Sequence, residues 1–500
     1  QNMFYISNVP VYNTAHLFGF FTSFSSDIVK DFSFFKGSLP ASYGGRLASF
    51  FDITSKQGNN KKYTANGGIS PITGHIAVEG PIIKEKSSFI ICARSSYSDW
   101  LLTRLHNADL RNSHANFYDL SANVTFEHNE KNLFKAFGYY SFDRFSLANK
   151  NHYEYSNTGF SLGWWHKYSN KHNSNAALVY SSYYNSNLDS VNKISAYKHS
   201  HRIDHIEFKL DFSYLPNEKH KVKYGLDLIK YKIDRGVLEP VGIDSDRRLE
   251  DLGEDNGIES AVYLSDEYRI TNWLTIYGGL RFSYYAYLGP QTVYEYEPGS
   301  PKTEQHVVNT IEYERGRLIK TYSQPEYRAS VNFSTGPNSS VKLSYNRTQQ
   351  YLFMLSNTIA ISPSDQWKLC DYNIAPPLSD QGSVGYYKNI LNPSIDLSVE
   401  AYYKKMKNVV EFKDGADLVS SKYVERDVLP GDQKAYGIEF MAKKNRGKLT
   451  GWLSYAYSRS IVKVDGEYAW QQINSGIAFP SNYDKPHAFS GVLNYKLNRR

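Results

Sequence analysis

The chain has 500 residues, with 57 Lys and Arg against 50 Asp and Glu and a formal net charge of +7. No dense basic stripe accompanies that mild excess, which excludes a nucleic-acid binder. The length exceeds an ordinary domain of roughly 100–200 residues, yet composition does not shift again after residue 60, and barrels are the usual exception to counting domains by length.

The chain opens on Gln1-Asn2-Met3-Phe4-Tyr5, which reads as folded structure rather than a secretory leader. A leader is therefore expected to have been removed with upstream sequence, or the chain is a fragment. Residues 1–60 are apolar and punctuated by glycine. "VPVYNTAHLFGFFTSF" and "IVKDFSFFKGSLPASYGGRLASFFDITSKQG" predict short buried strands joined by tight turns. Phe32–Phe35 and Leu47–Ile53 are too apolar for a solvated linker.

From residue 61 to 500 the pattern is a ladder. Leu120, Ala122, Val124 and Phe126 alternate with Ser121, Asn123, Thr125 and Glu127. Ile206, Phe208, Leu210, Phe212 and Tyr214 alternate with Glu207, Lys209, Asp211 and Ser213. Ile276, Leu280, Phe282 and Tyr284 oppose Tyr277, Arg281 and Ser283, and Ile395, Leu397, Val399 and Ala401 oppose Asp396, Ser398, Glu400 and Tyr402. Period two means a strand with one apolar and one polar face. The strands read as about 12–16 residues long, against a usual mode near 5–6. Short polar turns fall at Lys84–Ser87, His128–Asn132, Ser169–His172, Pro216–Lys219, Ile270–Trp273, Gly336–Ser339, Lys388–Pro393 and Lys444–Gly447. Long polar stretches lie between them at 235–256, 289–322, 350–377, 408–432 and 462–483. Short turns at one end and long loops at the other describe an antiparallel transmembrane β-barrel of about 18 strands, with the short turns periplasmic. Mean hydropathy is −0.53, and no run approaches the roughly 18 apolar residues of a membrane helix. A barrel needs neither. The 43 tyrosines read as interface girdles.

These residues resemble a known family. Lys36-Gly37, Tyr43-Gly44, Gly45-Arg46 and Asp52-Ile53-Thr54-Ser55-Lys56 are similar to the closing half of the plug domain of TonB-dependent outer-membrane receptors, in their Bacteroidetes form. Glu79-Gly80-Pro81, Arg94-Ser95-Ser96-Tyr97, Ser379-Asp380-Gln381, Ala435-Tyr436-Gly437-Ile438-Glu439 and Tyr483-Asp484-Lys485-Pro486-His487 extend the resemblance across the barrel. It implies an all-β fold with a plug inside a barrel of about 22 strands. Residues 1–60 would be the C-terminal part of the plug. Residues 61–500 would be the barrel, short of its last four or so strands. The first half of the plug and the TonB-binding segment have no counterpart here. The resemblance further implies a Gram-negative outer-membrane location, contact with lipid, and a scarce or bulky nutrient as ligand: siderophore, cobalamin, glycan or peptide. It implies energising by the TonB-ExbB-ExbD complex, and an outer-membrane lipoprotein or other assembly partner is a further possibility.

Lys36, Gly37, Tyr43, Gly44, Gly45 and Arg46 are therefore the candidate latch between plug and wall. A guanidinium carries five donors and can bridge several carboxylates facing the lumen; a static buried salt bridge would use the same contacts. Many relatives place Glu where this chain has Ser33, so Arg46 lacks that partner. Gly44 and Gly45 read as a turn with positive φ or a close approach to the wall. His16, Phe18 and Phe20, in "HLFGFF", are candidate ligand contacts at a plug apex, or plug core. Trp367 and Trp470 are candidate ligand contacts in long loops, or residues that order those loops. His199, His201 and His205 share one strand, which sets them poorly for a common metal, and Cys92 and Cys370 form no disulfide framework. No enzyme signature, cofactor motif or metal site is read. Glu250-Asp251 and Glu254-Asp255 read as a solvated loop or a calcium site rather than a catalytic dyad. Three functions stay open: a gated importer, a structural subunit of an envelope assembly with a receptor-like barrel, and an 18-stranded passive porin.

Overall fold

In the computed structural model, residues 2–148, 150–356, 365–390, 394–416 and 421–497 are described. The ends of the 388–393 turn, the 350–377 and 408–432 loops and the last predicted strand include positions outside them.

Two sheets account for most of the chain. The larger is a barrel of antiparallel strands running from Thr64–Ile69 to His487–Tyr495. Among the described residues it has twenty-one strands, three of which (Val237–Pro240, Glu250–Asp251 and Phe479–Pro480) are short outer segments. The remaining eighteen agree with the ladder read from the sequence. They reach 21 residues at Tyr197–Asn217, longer than the period-two stretch alone predicts. The first and last strands are neighbours in the ring, but no residue-by-residue register joins them among the described residues, and both are exposed along most of their length.

The wall is inverted relative to a water-soluble protein. Ile206 is 47% exposed while its neighbour Glu207 is 0% exposed. Leu120, Val124 and Phe126 likewise face out, and Asp119, Ser121, Asn123 and Thr125 face in. Apolar side chains outside and polar ones inside are the pattern that hydrocarbon selects. The described turns at 84–86, 130–131, 170–171, 218–219, 270–273, 337–338 and 445–448 are short. The opposite end carries the long connections, one of which holds two short helices, Asp99–Leu102 and Ala108–Arg111, that the sequence reading does not anticipate.

Residues 3–55 form a four-stranded sheet of their own in the order Val9–Val11, Met3–Ile6, Phe50–Ser55, Val29–Phe35. Met3–Ile6 runs parallel to Phe50–Ser55, and the other pairs are antiparallel. This inner sheet occupies the lumen. Ile6, Val9, Ile28 and Ile53 pack on Ala77, Phe137, Ala177 and Val179 of the wall in one apolar cluster. Gly159 makes room for it, since a Cβ there would collide with Val9. An unobstructed 18-stranded pore is thereby ruled out.

A second cluster sits above. The hairpin of Leu352–Leu355 and Gln366–Leu369 folds inward rather than standing in solvent, and it packs on Tyr12, Tyr285 and Tyr287. The tyrosine excess is thus only partly a girdle. Tyr155, Tyr183, Tyr231 and Tyr351 are also buried in the lumen, where a phenol fills volume and still bonds polar neighbours.

Candidate functional site

Past Phe35 the chain leaves the inner sheet, and residues 36–47 run along the wall with backbone groups that no strand satisfies. Buried backbone N–H and C=O must be paired, and the wall's side chains pair them. The Gly37 carbonyl accepts from Ser344 Oγ at 2.7 Å and from Asn346 Nδ2 at 2.5 Å. Leu39 N–H donates to Asn346 Oδ1 at 3.2 Å, and Ala41 N–H to Tyr277 Oη at 2.9 Å. Arg281 Nη1 reaches the Ser42 carbonyl at 3.4 Å, and Arg328 Nη2 the Tyr43 carbonyl at 3.2 Å. Tyr43 Oη donates to Asp52 at 2.6 Å, fastening the segment back onto its own sheet. At the inner end Lys36 Nζ lies 2.5 Å from Glu439 and 3.4 Å from Glu400. At the outer end Leu47 N–H donates to Gln350 Oε1 at 3.2 Å, and Lys404 Nζ donates to the Leu47 carbonyl.

Gly44 and Gly45 have separate reasons. A Cβ on Gly44 would overlap Arg281 Nε, so the close approach itself requires glycine. Gly45 has φ +73°, where an L side chain is strained.

Arg46 is 3% exposed, but it does not bridge carboxylates. Its Nη1 donates to its neighbour Gly45's carbonyl at 2.8 Å and to Leu352's at 3.4 Å, and its guanidinium lies 5.8 Å from the Trp367 ring. Glu259, the carboxylate beside Gly45, accepts from Tyr231 Oη at 3.3 Å and not from Arg46. Two further wall carboxylates are taken by wall arginines, Asp227 by Arg281 at 3.1 Å and Glu326 by Arg328 at 2.8 Å. Arg281, Arg328 and Lys404 are the residues sequence reasoning missed. Their signal was present, because Arg281 stands on the polar parity of its strand, the side that turns to the lumen.

The other candidates do not converge. His16 is fully buried and is not an exposed apex residue. Its Nδ1 donates to Asp143 at 2.6 Å, Nε2 lies 3.4 Å from Asp119, and its ring stacks on Phe117 at 4.1 Å. Asp119 is also paired with Arg94 at 2.7 Å. Burial opposes the imidazolium, yet the two carboxylates more than offset it, and the His16 pKa is raised. Phe18 and Phe20 are exposed, Phe20 at 84%. Trp367 is buried edge-on against Tyr12 at 5.3 Å, so it orders the lumen instead of standing free in a loop. Trp470 stacks on Tyr468 at 6.1 Å, far along the chain from either group. His199, His201 and His205 all turn inward. His199 bonds the Arg235 carbonyl at 2.7 Å, and His205 lies 2.7 Å from Tyr12 Oη and 3.1 Å from Glu207. Cys92 and Cys370 are free and buried. No cluster of metal-ligating side chains occurs among the described residues.

Between the 36–49 segment and the strands Leu378–Ile390, Ile395–Phe412 and Val428–Lys444 lies a cavity of about 750 Å³. It runs from Lys36, Glu400 and Glu439 up to Phe412 and Tyr483 near the loop-bearing end.

Residues 96–498 match the family model for the TonB dependent receptor-like β-barrel. No curated protein matches. Among solved structures, the FrpB iron transporter from Neisseria meningitidis (F3-3 variant) is similar with a TM-score of 0.68 at 12% identity, over 99% of this chain and 77% of that one. The Serratia marcescens haemophore receptor HasR, in complex with its haemophore HasA and haem, gives 0.66 at 12% identity, over 98% and 80%. The alcaligin outer-membrane receptor FauA from Bordetella pertussis gives 0.64 at 12% identity, over 99% and 76%.

Proposed function

The chain belongs to the TonB-dependent receptor-like β-barrel family of the Gram-negative outer membrane, and from that premise we propose that it imports a nutrient by energised displacement of its inner sheet. Residues 1–60 are then the C-terminal part of a plug, and residues 61–500 the barrel that holds it. The cargo is a scarce or bulky nutrient. Solved relatives carry titles naming an iron transporter, a haem-bound haemophore complex and a siderophore receptor; siderophore, cobalamin, glycan and peptide all remain within the class.

One observation carries this reading. From Lys36 to Tyr43 the segment is attached to the wall by single hydrogen bonds and one ion-pair cluster, and only at its outer end does Leu47 pack on Met406, Val409 and Leu429. A neutral bond of this kind contributes a net of about 0.5–1.5 kcal/mol and one from a guanidinium about 1.5–3 kcal/mol, and water can replace either. A plug held this way can be pulled aside without the wall unfolding. The pull is assigned to the TonB-ExbB-ExbD complex.

Arg46 acts as a latch through carbonyl and ring contacts, not through carboxylates. The test is uptake. Deleting the gene should abolish use of one scarce nutrient, and a TonB-deficient strain should show the same loss. Arg46→Ala should alter the uptake rate while the barrel still assembles. Uptake independent of TonB would overturn the importer. Unchanged uptake in Arg46→Ala would remove Arg46 from the latch.

A further inference from the structure

At the loop-bearing end three loop segments hold one another. The hairpin of Gln291–Tyr296 and Val307–Tyr313 stands between the other two, and the two-residue period of its first strand lets it grip both. Glu295 faces one neighbour and accepts from Tyr372 Oη at 2.8 Å. On that side Asn373 Nδ2 also donates to the Tyr294 carbonyl, and Lys302 Nζ to the Asn373 carbonyl, each at 3.3 Å. The Tyr294 and Tyr296 side chains face the other neighbour. Tyr296 Oη donates to Glu425 at 2.9 Å, and Tyr294 Oη lies 3.3 Å from Tyr423 Oη. Arg426 closes this second side. It follows Tyr423 by three residues in the short 3₁₀ turn Val424–Arg426, where side chains three apart line up. Its guanidinium sits 4.4 Å from the Tyr423 ring, 5.3 Å from Tyr294 and 5.8 Å from Tyr296, and its Nε donates to Tyr296 Oη at 3.1 Å. Cation–π attraction and a charge-assisted hydrogen bond thus meet at one side chain.

The same segments reach across the mouth. Arg235, just past the outer end of His220–Asp234, is buried, and it donates to the Lys422 carbonyl at 2.8 Å and the Ser421 carbonyl at 2.5 Å. Residues 421–427 lead into Val428–Lys444, and six strands stand in the ring between that strand and His220–Asp234. At about 4.8 Å per strand this is roughly 34 Å of wall. A direct contact between the two has to cross the mouth rather than follow the rim. Lys368 adds a second tie, 3.0 Å from Asp255 on the wall and 2.8 Å from Asp371. Beneath these ties Val424 and Ile374 share one apolar cluster with Tyr12, which follows the inner strand Val9–Val11.

We propose that residues 291–313, 366–374 and 421–427 form a single lid over the inner sheet, and that Arg426 in its tyrosine cage is the lock. While Arg426 stays among the three rings, the loops are tied to one another and to the far wall, and the way from outside to the inner sheet is closed. When it leaves, the hairpin loses its hold on 421–427 and the lid opens as one piece. The lid stands on these contacts alone; its use in admitting cargo rests on the importer reading.

The chain carries its own reporters. Cys370 is fully buried under the lid, and Cys92 is fully buried in the apolar cluster of Ile6 and Val9. The full chain is purified in detergent and treated with a maleimide, and mass spectrometry of its peptides reads each thiol separately. A buried thiol reacts in proportion to the population of the open form. Arg426→Ala should raise the Cys370 rate about tenfold, as expected for the loss of a charged hydrogen bond and a cation–π contact, and should leave Cys92 at the wild-type rate. Arg426→Lys, which keeps the cation and loses the Nε bond, should fall between. Amide hydrogen exchange should quicken in all three segments together. Should Arg426→Ala fail to assemble, Tyr296→Phe loses one hydroxyl, keeps the ring and should give a smaller rise at Cys370. An unchanged Cys370 rate, an equal rise at Cys92, or exchange that quickens in 421–427 alone would overturn the lid. A flat Cys370 rate beside a TonB-dependent uptake defect would remove the lid and leave the importer. The expected Cys370 response with no uptake defect would keep the lid and remove the importer.

Discussion

The inner sheet meets the wall on two flanks that differ in kind. On one, Ile6, Val9, Ile28 and Ile53 bury against Ala77, Phe137, Ala177 and Val179. On the other, residues 36–47 hang from Ser344, Asn346, Arg281, Arg328 and Lys404 by backbone carbonyls. Apolar burial scales with area and has no preferred direction, at roughly 25 cal/mol per Å². It tolerates small shifts. Hydrogen bonds weaken steeply with distance and angle, so a displacement of about an ångström that leaves the apolar flank seated undoes much of the polar one. The difference makes one flank an anchor and the other a release, and the order of events under load follows from it.

The strongest way to break the comparison is to cut into the anchor. Ile6 is fully buried in the apolar cluster, and Ile6→Ala should cost about 2–5 kcal/mol of inner-sheet stability. Limited proteolysis of residues 1–60 in the purified chain reads it as faster cleavage with the barrel intact. A cost no larger than that of the polar-flank variants below would mean that the flanks do not divide the work as described.

How much of this could be read in advance differs between wall and lumen. The eighteen strands and their short turns were legible because period two is local: Leu120 to Thr125 alone distinguishes the lipid face from the lumen face. Partner choice across the lumen is not local. A buried Arg46 calls for carboxylates, but Glu259, more than 200 residues away in sequence and set beside Gly45, accepts from Tyr231 instead. Trp367 looked like a loop aromatic because nothing near it in sequence says that its hairpin folds inward. His16 looked like an apex residue because its partners Asp119 and Asp143 belong to strands a hundred residues on.

His16 sharpens the comparison, since it adds a titratable contact at the outer end of the anchored flank. Its pKa lies above 6.5 despite burial, owing to Asp119 and Asp143. A raised folded-state pKa means that the contribution is fully present below the unfolded value and is lost as pH rises through the folded one. Hydrogen bonds to a charged group are each worth about 1.5–3 kcal/mol. The Leu17 amide, which donates to Asp143 at 3.1 Å, should therefore lose hydrogen-exchange protection as pH is raised through the folded-state pKa of His16, after correction for the intrinsic rate. His16→Gln should flatten that profile. Protection that rose with pH would reverse the assignment.

On the polar flank, Gly44→Ala tests whether proximity itself matters. The new methyl would overlap Arg281 Nε, and Arg281 cannot swing away freely because Asp227 holds it at 3.1 Å. Overpacking of this kind costs about 1–3 kcal/mol. The expected result is a looser 36–47 segment, seen as faster labelling of a cysteine introduced at Ser42, while cleavage near Ile6 stays at the wild-type rate. Loosening at both positions would show that the flanks are mechanically one unit.

The smallest effect is the most informative about release. Lys36 sits between Glu400 and Glu439, and its side chain remains 37% exposed. A partly exposed ion pair contributes about 0.2–1 kcal/mol, too little to hold the sheet by itself. Lys36→Met should accordingly leave thermal unfolding almost unchanged. It should still lower the force needed to extract the inner sheet in single-molecule pulling from the turn-bearing end, because a contact at the leading edge of a load is broken alone rather than shared among its neighbours. The change should diminish in wild type as salt is raised, since exposed charges are screened over about 10 Å at 0.1 M. If Lys36→Met instead lowered unfolding temperature and left the extraction force alone, the ion pair would belong with the anchor, and the release flank would begin at Gly37.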